Sequence, residues 1–336
     1  MTDTSGPDDR TPGPQDPHGS FGPPMPPVPS GQQAGDQPGV IPLRPLAVGE
    51  ILKGAIATIR RHPTLMLGVA AVVVTITQLI VLAATLPMLE DVNEAMDLGA
   101  NLSADELGSL LGRTFAVAGI GLVFALVARV FLAGFFTQVV ATAVVGQRAD
   151  FGGIWARIRP RLLPLLGLTL VYPAVAIAAG LFLVLVALAV PVLAAILFFA
   201  FFVVGIWLVI LFSLATPALV LENVGVGTAF GRSRQLVRGS WWRIFGITLL
   251  GWLIAIVVAW IITLPFETLG GGSATAAPTT LTAGYLILST IGAIIASTIT
   301  EPFVAAITVL LYTDQRIRRE GMATELAAAA APPQDR

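Results

Sequence analysis

The sequence predicts an all-α, polytopic transmembrane helical bundle of six spans, arranged as three tandem units of an amphipathic helix followed by a transmembrane hairpin. Composition is the first reason: of 336 residues, 55% are hydrophobic and only 12% charged, about half the ~25% charged content of a soluble domain. The second is a run of 60 positions, residues 162–221, with no charged side chain, where roughly 20 apolar residues suffice to cross a bilayer. The third is that basic residues gather beside alternate ends of the apolar runs, as they do in multi-pass proteins.

The elements follow in order. Residues 1–42 hold 11 Pro and 7 Gly and few large apolar side chains, too little burial to offset the entropy of ordering, so they form a disordered tail. Asp3, Asp8 and Asp9 stand where a signal peptide would carry a basic region. The run from Pro23 to Pro29 favours polyproline II. The membrane domain occupies residues 43–320, and its first span covers residues 64–89. The second lies within residues 114–147, interrupted only by Arg129. The charge-free run divides near Pro191 into spans at about 162–188 and 192–214, because three spans would leave too little for connections. Pro173 and Pro217 must kink helices or mark their ends. The fifth span covers residues 244–266 and the sixth 281–312, the latter carrying Glu301. Residues 321–336 form a tail.

Lys and Arg next to spans stay cytoplasmic. One side of the predicted bundle receives Arg44, Lys53, Arg60 and Arg61, then Arg148, Arg157, Arg159 and Arg161. The same side receives Arg232, Arg234, Arg238 and Arg243, then Arg316, Arg318 and Arg319, 15 basic residues in all. The opposite side has Arg113 among Glu90, Asp91, Glu94, Asp97, Asp105, Glu106 and Glu267. The expected location is the plasma membrane, with both termini cytoplasmic.

An amphipathic helix precedes the first, third and fifth spans. Val48, Ile51, Leu52, Ala55, Ile56 and Ile59 recur at helical spacing before the first, and Pro63 ends that helix. Phe151, Ile154, Trp155 and Ile158 do so before the third; Val226, Ala229, Phe230, Leu236 and Val237 before the fifth. Lying in the headgroup plane, such helices attract anionic lipid, which makes Lys53, Arg60, Arg61, Arg157, Arg159, Arg232, Arg234 and Arg238 lipid-facing candidates. The alternative is that each packs on its own bundle. Laid over one another, the units match at Leu52, Phe151 and Phe230, at Arg60, Arg159 and Arg238, and at Gly68, Gly167 and Gly246, the signature of an internal repeat.

Few residues could carry chemistry. Arg129 and Glu301 are the full charges well inside spans, where an unpaired charge is costly and must face protein or water. They mark either a structural bridge or an ion path. The repeat places Glu301 over Gln138, nine residues and about 13 Å from Arg129 along parallel helices, so contact would need bending or a long reach. Pro302 frees a carbonyl near Thr298. With no Cys and two His, His18 and His62, no thiolate site or paired-His zinc site can form. A hydrolase would need His62 to meet Ser289 or Ser297 in the membrane. No enzyme activity, catalytic residue, metal or cofactor is expected, and the net charge of -1 argues against nucleic acid as a partner.

Four segments form a recognisable set: Arg44-Pro45-Leu46-Ala47-Val48-Gly49-Glu50-Ile51-Leu52 leading to Arg60-Arg61-His62-Pro63; Pro217-Ala218-Leu219-Val220-Leu221-Glu222; Ala229 to Arg243; and Leu311-Tyr312-Thr313-Asp314-Gln315-Arg316 to Gly321. Together they resemble a family of actinobacterial membrane proteins similar to the membrane domain of glycerophosphodiester phosphodiesterases. In those enzymes hydrolysis belongs to a separate metal-dependent barrel domain. The resemblance over about residues 43–326 therefore implies a membrane module and no catalytic residue.

Overall fold

A computed structural model describes residues 39–42, 44–98, 103–272 and 280–321. Most of the predicted N-terminal tail, its polyproline run and residues 322–336 of the C-terminal tail lie outside the described residues. The described chain is helical, and six stretches are long and apolar enough to cross a membrane: Thr64–Asp97, Ala104–Val144, Phe151–Ala189, Pro191–Leu221, Trp241–Leu269 and Ala283–Glu320. The protein is a multi-pass membrane protein with an all-α bundle.

The helices are α1 (Val48–Arg61), α2 (Val69–Thr85), α3 (Leu89–Leu98), α4 (Ala104–Val144), α5 (Phe151–Ile158) and α6 (Leu162–Ala189). They continue as α7 (Pro191–Leu211), α8 (Ala215–Leu221), α9 (Val226–Val237), α10 (Trp241–Leu269) and α11 (Ala283–Glu320). A short helix followed by two spans thus occurs three times: α1 before α2 and α4, α5 before α6 and α7, α9 before α10 and α11. Several helices run beyond the apolar spans. α4 begins ten residues before Thr114, capped by Ser103, whose Oγ accepts from the Glu106 N–H while Glu106 accepts from the Ser103 N–H at 2.9 Å.

The prolines explain where the chain breaks. Pro191 is the first residue of α7, where a missing N–H costs nothing, and Val190 before it is non-helical at φ −143°, ψ 86°. Pro217 sits in the first turn of α8 for the same reason, whereas Pro173 and Pro302 lie inside α6 and α11. α11 is the central element, packing on α10, α2, α1 and α4. Its half nearest Glu320 is enclosed: Ala306, Ile307, Leu310, Leu311, Tyr312, Asp314 and Gln315 are all buried. By contrast α6 and α7 pack chiefly on each other, with α6 also on α4, and most of their Leu, Val and Phe side chains are left to the bilayer.

Each short helix buries part of its apolar stripe on the bundle. Ile51, Ala55 and Thr58 of α1 are fully enclosed, as are Ala229, Ser233 and Val237 of α9, while α5 buries Ile154 and Ile158. Gly54 makes the α1 contact possible, since a Cβ there would stand 2.7 Å from Ile41 and 3.0 Å from Leu310. Packing on the bundle therefore accounts for the buried part of the apolar faces. Val48, Ile56, Phe151 and Trp155 remain exposed beside them.

Candidate functional site

Two polar regions stand out: an ion-pair cluster at the basic end of the bundle, and a cleft within the spans.

The cluster is centred on Asp314, whose side chain is fully buried. An ionised carboxylate there is tolerable only if its oxygens are fully engaged. Oδ1 accepts the Leu46 backbone N–H at 2.7 Å, Arg243 donates to Oδ2, and Arg318 Nε donates to both oxygens at 2.9 and 3.0 Å. Arg243 and Arg318 also donate to the Leu46 carbonyl, at 2.7 and 2.8 Å. One carboxylate thus ties the chain entering α1 to the start of α10 and the end of α11.

Alongside it, Glu222 at the end of α8 accepts two bonds from Arg232, at 2.7 and 2.9 Å, and one from the Tyr312 hydroxyl at 2.6 Å. Glu320 accepts from Arg232 at 2.6 Å and from Arg316 at 2.8 Å. Burial works to raise the Glu222 pKa, but the hydrogen bonds from Arg232 and Tyr312 and the charges of Arg232 and Arg316 outweigh it, leaving the carboxyl below its ordinary value. The Glu222 hydrogen bond, against a smaller opposing effect of burial, holds the Arg232 guanidinium above its own. Ser233 completes the region: its Oγ donates to the Leu211 carbonyl at 2.8 Å and accepts the Leu214 N–H at 3.2 Å. It thereby satisfies groups freed where α7 gives way to α8.

Asp314, Glu222, Tyr312 and Ser233 were not expected to be site residues. All four lie in the segments that carry the family resemblance, which was the available signal.

The predicted lipid-facing residues divide. Arg232 belongs to the ion-pair cluster. Arg61 is exposed and donates to the Gly146 carbonyl at 2.8 Å. Lys53, Arg60, Arg157, Arg159, Arg234 and Arg238 are exposed and form no ion pair among the described residues. They rim the basic end, joined by Trp242, which is 78% exposed beside Trp241 and Phe245. His62 also lies at this end; burial, then the Arg61 charge, lowers its pKa, so it adds no charge to the rim near neutrality.

The cleft has a volume of about 300 Å³ and lies between α2, α4 and α11. α2 contributes Val74, Thr77 and Gln78; α4 contributes Leu122, Ala125, Leu126, Ala128, Arg129 and Leu132; α11 contributes Ser297 and Glu301. Arg129 and Glu301, both exposed, therefore line one open cleft, but no ion pair within 4.0 Å joins them among the described residues. The repeat register had offset them by about 13 Å. Gln138 is half-buried and does not line the cleft. Ser289 bonds to the Leu286 carbonyl of its own helix, and Ser297 faces the cleft.

No curated protein and no solved structure matches the chain. The family model for the domain of unknown function DUF7847 matches residues 46–315, from the Leu46 that Asp314 holds to the residue after Asp314. That match spans most of the chain, and the protein belongs to the DUF7847 family.

Proposed function

We propose that this protein is a non-catalytic membrane module of the plasma membrane that gathers anionic lipid at its cytoplasmic face. The supporting observation is the division of labour at the basic end. The buried Asp314 pairs with Arg243 and Arg318 and the partly buried Glu222 with Arg232, whereas Lys53, Arg60, Arg157, Arg159, Arg234 and Arg238 are exposed and carry no ion pair among the described residues. Because α1, α5 and α9 bury much of their apolar stripes on the bundle, attraction to lipid is chiefly electrostatic, with the exposed Val48, Ile56, Phe151 and Trp155 beside the charges. Each unpaired basic residue contributes about 1 kcal/mol near an anionic surface. The resemblance to glycerophosphodiester phosphodiesterase membrane domains supports the same reading, since it implies a membrane module without catalytic groups.

The test is retention of phosphatidylglycerol by the intact protein extracted from mixed phosphatidylglycerol and phosphatidylcholine bilayers, measured by native mass spectrometry. Arg159→Gln, Arg234→Gln and Arg238→Gln together should weaken retention by roughly 3 kcal/mol at low salt, and the difference should shrink as salt rises. Retention unchanged by the triple substitution would reject the reading.

A second reading, a small transporter or channel, is favoured by one observation: Arg129 and Glu301 line the same cleft. It requires an ion-coupled flux in proteoliposomes that Glu301→Gln abolishes.

A further inference from the structure

The cleft between α2, α4 and α11 presents one cation and one anion to the same space. Neither the Arg129 guanidinium nor the Glu301 carboxylate has a hydrogen-bond or ion-pair partner among the described residues, and Gln78 and Ser297 add an amide and a hydroxyl that are likewise unengaged there. The rest of the lining is mostly aliphatic, including Val74, Leu122, Leu126 and Leu132. Charges left unpaired in mid-span are costly. A ligand with a single charge would compensate one of these two and leave the other.

We propose that the cleft binds a small zwitterion bearing a compact apolar group, its anionic centre on Arg129, its ammonium on Glu301 and its apolar part against the aliphatic wall. This shares with the second reading above the premise that the cleft takes up a solute, and names the class without requiring flux. A volume of about 300 Å³ is at the small end of ligand pockets. It accommodates a free apolar amino acid or the ethanolamine-phosphate headgroup of a lipid, but not a whole lipid. Those two sources share the chemistry that the cleft would recognise.

The experiment uses the full chain in phosphatidylglycerol nanodiscs, with binding of L-leucine, isocaproate and isoamylamine measured by calorimetry. A parallel arm adds phosphatidylethanolamine to the discs and measures its retention by native mass spectrometry. The expected result is binding of the zwitterion with each single-charge probe at least about tenfold weaker, as loss of one charge-assisted contact requires. Arg129→Gln and Glu301→Gln should each weaken it by at least about tenfold. Ala125→Phe narrows the cleft without touching either charge and should do the same, with size-exclusion and thermal unfolding establishing that each variant is folded. L-leucine binding assigns the free zwitterion; phosphatidylethanolamine retention without it assigns the headgroup. Isocaproate binding as tightly as L-leucine, indifferent to Glu301→Gln, would overturn the proposal in favour of an anion site. Failure of both L-leucine and phosphatidylethanolamine to bind would overturn it outright. An ion flux that needs Glu301, without zwitterion binding, would leave the second reading standing and this inference refuted; zwitterion binding without any flux would do the reverse.

Discussion

Asp314 shows what a single side chain does in this bundle. It has no solvent contact, yet it receives a backbone N–H and two guanidinium groups from three separate parts of the chain. Asp314→Ala would leave Arg243 and Arg318 facing each other around the Leu46 carbonyl with no counter-charge. The expected loss is about 3–5 kcal/mol, read as a large drop in the thermal unfolding midpoint of the purified protein. Glu222 adds a pH dependence of definite sign. Its folded-state pKa lies below the ordinary 4.5, so its contribution is complete above that value and is lost as pH falls through the folded value. Unfolding followed from pH 7 to pH 3 should show Glu222→Gln less stable than the native protein at pH 7, with the gap closing at the acid end. A gap that widened on acidification would contradict the assigned ion pairs.

Among the elements, the junction of α7 and α8 depends on a helix from elsewhere in the chain. The backbone groups freed between Leu211 and Leu214 are satisfied by Ser233 of α9, and the Tyr172 hydroxyl of α6 donates to the Phe212 carbonyl at 3.2 Å. Ser233→Ala strands a buried carbonyl and N–H at a cost of about 1–3 kcal/mol, measurable as a lowered unfolding midpoint; Ser233→Thr, which keeps the hydroxyl, should recover part of it. The six spans and the Pro191 break were legible in the sequence because they rest on local facts: a bilayer thickness, and a ring that cannot donate. The short helices were legible from their periodicity, but periodicity is silent about what covers an apolar stripe, and here α11 and α8 cover those of α1 and α9. Asp314 and Glu222 were not legible as hubs: Arg232 is ten positions from Glu222, and Leu46, 268 positions from Asp314, gives no local hint of its partner. Arg129 and Glu301 were found as lone intramembrane charges, yet that they line one cleft depends on how α2, α4 and α11 pack together, which no local pattern reports.

For the whole molecule, charge distribution sets the orientation. The end holding α1, α5 and α9 carries the 15 basic residues, and the other holds the acidic α3 and the start of α4, where Arg113 pairs with Asp91 and Asn93 exchanges two 2.8 Å hydrogen bonds with the Leu281 backbone. Gathering anionic lipid at the cytoplasmic face is possible only if the first of these ends is cytoplasmic, the orientation that the distribution of Lys and Arg predicts. The native chain contains no Cys, so single cysteines report position without background. Gly108 of α4 and Gly227 of α9 are exposed, and a Cβ at either meets nothing within 4 Å, so Gly108→Cys and Gly227→Cys leave the packing intact. The decisive measurement is labelling of these two variants by a membrane-impermeant maleimide in intact cells. The predicted result is labelling at residue 108 in intact cells and at residue 227 only after permeabilisation; the opposite pattern, or labelling of both in intact cells, would contradict the account.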